Sequence, residues 1–161
     1  MRKEIDIHDG GTVVLLGSLS TEAPGLGMCV REFGWVLKNA ESIGSLEHLA
    51  ATGGVVAVLF EPRAFGASPV EAVQRVRKAA QGALPLVCHR FSEPVDWPEL
   101  AEAGAFHSLP VPLDAREIRQ ALGFVWAAKG FRARNVIPLR RRLPRRAQTV
   151  SEPVTSQASV S

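Results

Sequence analysis

Five short apolar runs punctuate the chain, and after each comes a segment in which apolar residues return every three or four positions. The runs are Thr12–Leu16 (TVVLL), Trp35–Lys38 (WVLK), Val55–Phe60 (VVAVLF), Pro85–Cys88 (PLVC) and Ala105–Leu109 (AFHSL). Of these, TVVLL, apolar throughout and without in-out alternation, predicts a strand buried on both faces, VVAVLF is the strongest strand candidate, and the other three are strand candidates too. Between them the spacing predicts helices over Leu26–Phe33, stopped by Gly34, and over Ile43–Ala51, stopped by Thr52-Gly53-Gly54. A third helix is expected over Val70–Gln81, where Val70, Val73, Val76 and Ala80 share a face, and a fourth over Trp97–Ala103. The fifth opens at Asp114 with Glu117 three residues on, a reciprocal capping box, and carries Ile118, Leu122 and Val125 on one side. Strand and helix alternate five times. That order predicts an α/β fold, a doubly wound five-stranded parallel sheet with helices on both faces.

Beyond Gly130 the periodicity stops. FRARNVIPLRRRLPRRAQTVSEPVTSQASVS mixes prolines, arginines and small polar residues, the composition of a disordered tail. The chain is therefore read as an N-terminal extension over 1–10, one domain over 11–128 and a basic tail over 129–161. The 161 residues leave no room for a second full domain. With 46% hydrophobic and 22% charged residues the composition is that of a globular protein, and no apolar run approaches the ~20 residues of a membrane span. MRKEIDIHDGG mixes charges of both signs and makes a poor secretory signal, so a cytoplasmic location is expected. The net charge of +3 arises in the tail: Arg132, Arg134, Arg140, Arg141, Arg142, Arg145 and Arg146 stand in a stretch without one acid, while the remaining body is mildly acidic.

Three motifs within residues 11–128 resemble those of the response-regulator receiver domain, the CheY-like fold. VVAVLFEPRAFG is similar to the family's phosphoacceptor strand and its exit, with Pro62 and Gly66 in the places of the proline and the following glycine. Ala103-Gly104-Ala105 resembles the turn into the fifth strand, and Leu109-Pro110-Val111-Pro112-Leu113 lies where receivers carry a Lys-Pro pair. The resemblance implies phosphoryl transfer to an aspartate, with acids to hold Mg²⁺, a hydroxyl and a lysine to grip the phosphate. Matched position by position, the acidic pair falls on Gly17 and Ser18, the phosphoacceptor on Val58 and the hydroxyl at or beside Arg90. The aromatic switch position falls on Ser108 and the lysine on Val111. Valine offers no oxygen to phosphorylate, and Gly17 and Ser18 offer no carboxylate to a hard cation. Glu61, three residues past Val58, is the acid nearest the exit of that strand. The expectation is a pseudo-receiver, not an enzyme, in which Pro62, Gly66, Gly104 and Pro112 keep the turns and the Val111-Pro112 bond is cis.

Such a domain would work by binding a protein partner: a histidine kinase, an output domain or a second copy of itself. The resemblance places the docking face on the last two helices and the fifth strand, with Phe106, Leu113, Arg116, Ile118, Leu122, Phe124 and Trp126 as candidates. Two other classes are consistent with the residues. Ser18-Leu19-Ser20-Thr21-Glu22 faintly resembles a flavodoxin phosphate loop, which suggests FMN or a small anion at the strand C-termini, where Arg90 could meet it. The arginine-rich tail suits nucleic acid or an acidic surface through phosphate contact, without any element to read sequence. No cofactor or metal is expected, since His48, His89 and His107 with Cys88 fit no ligand spacing and Cys29 and Cys88 read as reduced core thiols.

Overall fold

The computed structural model describes residues 10–19, 23–65 and 68–130. The chain divides into two units, Met1–Val125 and Trp126–Ser161. The sheet and its helices belong to the first, the last helix running on to Ala128. In chain order the elements are β1 (Thr12–Leu16), α1 (Leu26–Glu32), β2 (Val36–Ala40), α2 (Ile43–Ala51) and β3 (Val55–Phe60). A 3-10 turn, Pro62–Phe65, leads to α3 (Pro69–Ala79), β4 (Leu84–Arg90), α4 (Trp97–Ala103), β5 (His107–Val111) and α5 (Ala115–Ala128). The strands form one parallel sheet in the order β2-β1-β3-β4-β5, the doubly wound arrangement that the alternation predicts.

Strand alternation divides the core into two layers. Val14 and Leu16 of β1 and Val58 and Phe60 of β3 turn to one face, where Leu46 of α2, Val73 and Val76 of α3 and Leu100 of α4 close over them. Val13, Leu15, Ala57 and Leu59 alternate to the other face and are equally buried. There α1 and α5 are tied by a two-bond pair from Arg119 to Glu32, Nε to Oε1 at 2.8 Å and Nη2 to Oε2 at 3.1 Å. Burial pushes both thiols, Cys88 and Cys29, above the ordinary cysteine range. They are free and buried, as core thiols are.

Local chemistry sets the helix starts. Ser42, Ser68 and Asp96 each accept a backbone N–H from the residue three positions on, at 3.1 Å, and so cap α2, α3 and α4. Asp114 Oδ2 accepts from the N–H groups of Arg116 and Glu117 at 3.1 and 3.4 Å, the forward half of the expected capping box. The return bond is not made by Glu117 Oε1, which is buried without a hydrogen-bond partner.

Boundaries moved by a residue or two. β5 begins at His107: Ala105 N–H bonds Leu100 O at 2.9 Å in the turn after α4, and Phe106 N–H bonds Pro85 O of β4 at 2.8 Å. His107 therefore opens β5, at the far end of the strand from Val111 and away from the C-terminal edge. Gly104 ends α4 at φ +117°, and Arg77 of α3 packs against it while donating from Nη1 to Ala103 O at 3.1 Å.

Gly104→Ala is expected to lower unfolding stability by about 1–3 kcal/mol in urea titrations through backbone strain at positive φ. Adding Arg77→Ala should not restore it, because the cost lies in the backbone. Full recovery in the double variant would assign the cost to crowding instead. Burial pushes the His107 imidazole below its ordinary value, with the Glu117 carboxylate opposing more weakly, and its ring stands edge-on to Phe124 at 5.4 Å. A depressed folded value means that the fold favours neutral imidazole, so this contribution is present above about pH 6.5 and is lost as pH falls further. Urea midpoints measured from pH 7.5 down to 5.5 should fall, and His107→Gln should flatten that slope.

Candidate functional site

In an open parallel sheet the strand C-termini collect the groups that the apolar core cannot hold. Here that edge is formed by the exits of β1, β3, β4 and β5. Gly17, the first residue after β1, has φ +93° and donates its N–H to Ala40 O at 2.8 Å. A Cβ added there would meet no neighbour, so glycine serves the backbone turn rather than a close approach. Ser18 follows and is exposed.

Val58 lies inside β3, fully buried and in register with Val14 on one side and Pro85 on the other. The strand runs two residues further, so the residue that leaves it toward the edge is Glu61. Arg90 ends β4 in register with Val111 and brings its Nε to 3.3 Å from Glu61 Oε2. Glu61 Oε2 is buried without a hydrogen-bond partner, so this contact is a close charge pair in which the N–H is not aimed at the oxygen. Glu93 extends the network: its Oε1 accepts the Arg90 N–H at 3.2 Å, and its Oε2 pairs with Arg63 from the 3-10 turn. The exits of β3 and β4 are thus joined by two acid–arginine pairs.

Val111 is buried and its bond to Pro112 is cis; Pro112 is exposed and leads to buried Leu113 and capped α5. Ser108, half-buried, stands in register with Val87. Among the candidates for a docking face, Leu113, Ile118 and Leu122 belong to the core, Phe106 is half-buried, and Arg116 and Phe124 are exposed. Trp126 falls in the second unit. Gly66, most of the hydroxyl-rich first loop (residues 20–22) and the tail arginines lie outside the described residues.

Gly17, Ser18, Val58 and Val111 bring neither a carboxylate nor a cation to this edge. Among the described residues no group of three or more His, Cys, Asp or Glu is placed to hold a metal ion. His89 directs Nδ1 at Arg90 O, 3.4 Å away, and His48 is exposed on α2. Sequence reasoning singled out Glu61 and Arg90 separately and missed that they meet. It missed Arg63 and Glu93 altogether, because a pair 30 residues apart leaves no local pattern. One signal was available: β3 and β4 are sequential strands, and in a right-handed crossover their exits lie side by side.

No family model matches the sequence. No curated protein matches it either. Solved structures do match the fold. A response regulator from Thermotoga maritima is similar over 73% of this chain and 98% of its own, with a TM-score of 0.61 and 12% identity. A chemotaxis protein from Vibrio cholerae covers 72% of this chain and 98% of its own, with a TM-score of 0.57 and 16% identity. A pilus assembly-related protein from Burkholderia pseudomallei gives 73%, 90%, 0.56 and 15% for the same measures. Strand order, crossovers and these likenesses agree: the described body has the receiver-domain, CheY-like fold.

Proposed function

We propose that this chain is a receiver-like signalling domain that acts without a phosphoryl switch, by protein–protein contact in a two-component-type pathway. The observation that carries the reading is the residue set at the C-terminal edge. Gly17 and Ser18 stand at the exit of β1, Val58 is buried within β3, and Val111 is buried at the end of β5. Phosphoryl transfer to a carboxylate needs an accessible acceptor, carboxylates for Mg²⁺ and a cation to meet the incoming charge. Glu61 is the acid at the exit of β3, and Arg90 already neutralises it. The scaffold and its cis corner are kept while the reactive groups are absent, which leaves binding as the route by which a signal enters.

The partner-facing surface is drawn from β5 and α5. Arg116 and Phe124 of α5 are its exposed members and Phe106, just before β5, is half-buried; Leu113, Ile118 and Leu122 belong to the core. Phe124 is 46% exposed, a large apolar ring left in water on a helix whose opposite side is packed. A kinase, an output domain or a second copy would each fit such a face.

Incubation of the full chain with acetyl phosphate and Mg²⁺, followed by intact-mass measurement, should leave the mass unchanged. A stable acyl-phosphate adduct would contradict the reading, and its loss in Glu61→Gln would identify the acceptor.

A further inference from the structure

A second surface lies away from β5 and α5, between the turn after β3 and the loop after β4. It is a cleft of about 400 Å³, within the ~300–1,000 Å³ typical of ligand sites. Val87 and Leu100 form its apolar floor, and Pro62, Pro69 and Pro94 its walls. Prolines present rigid hydrocarbon and no N–H donor, so these walls offer an occupant shape and apolar contact. Val95, 36% exposed, lines the cleft, and Phe91, 84% exposed, stands four residues before it in the chain. A cleft lined with so much hydrocarbon marks a surface that gains from being covered.

Charge decides what kind of occupant fits. Glu93, Asp96 and Glu99 line the cleft against a single guanidinium, Arg63, and that group is paired with Glu93. The opposite oxygen of Glu93 holds the Arg90 N–H, so this pair braces one wall and leaves the loop preformed. Asp96 uses Oδ1 to cap α4, and Glu99 is exposed one turn along. The remaining potential is negative, which repels phosphate or a carboxylate ligand and attracts a cation.

We infer that this cleft is a docking site for a short segment of a protein partner in which a basic residue neighbours an aliphatic one. The aliphatic side chain enters between the prolines onto Val87 and Leu100, and the basic group lies over Asp96 and Glu99. The inference rests on the reading that the chain works by binding protein, and it assigns a contact separate from the face on β5 and α5.

The test is a titration of the ¹⁵N-labelled full chain, with no phosphoryl donor present, using an acetylated hexapeptide of alternating arginine and leucine. A matched peptide with glutamate for arginine is the control. Saturable amide shifts centred on Val87, Val95 and Leu100 are expected with the basic peptide alone. The double variant Asp96→Asn, Glu99→Gln keeps a capping side chain at residue 96 and should weaken binding at least five-fold. Absence of saturable shifts, shifts centred elsewhere, equal binding of the acidic peptide or no effect of the double variant would each overturn the proposal. Because no phosphoryl chemistry enters, such a failure is distinct from the appearance of an adduct with acetyl phosphate.

Discussion

Everything in this fold follows from burying a parallel sheet on both faces. β1, β3 and β4 lie within the sheet between two helical layers, and their side chains are almost entirely apolar because no water reaches either side. No polar or charged residue among those described is buried. Chemistry is thereby expelled to the strand ends, and the C-terminal edge becomes the place where a few residues decide what the domain can do.

At that edge the charges are organised in pairs. Glu61 and Arg90 face one another across adjacent strand exits, and Glu93 with Arg63 fastens the loops beyond. In both pairs a partly exposed arginine meets a more sheltered carboxylate. Their importance is positional, since they occupy the carboxylate at the exit of β3 and hold the two loops together. The same bracing borders the cleft above Val87 and Leu100.

The architecture was legible because it is written in period and punctuation. VVAVLF and TVVLL read as strands from their apolar runs, and Gly34, Gly53-Gly54 and Asp114 mark where helices end and begin. The receiver motifs then placed the corner at Val111-Pro112. What stayed hidden was orientation and long-range pairing. Ile118 and Phe124 look alike in sequence, yet one is buried and the other 46% exposed, because six positions along a helix turn the side chain to the other side. The motif match put the phosphoacceptor position on Val58, while β3 runs on to Phe60 with Glu61 following it. The meeting of Arg63 with Glu93 depends on two loops set by different crossovers, and no local pattern encodes it.

The central claim is that this receiver scaffold does not engage a phosphoryl group at its C-terminal edge. Its most direct test is an amide-resolved NMR titration of the full chain with Mg²⁺ and then beryllofluoride, a mimic of an acyl phosphate. The account predicts that the amides of Gly17, Glu61, Arg90 and Val111 keep their positions throughout. Saturable movement of these amides, dependent on both Mg²⁺ and beryllofluoride, would contradict it.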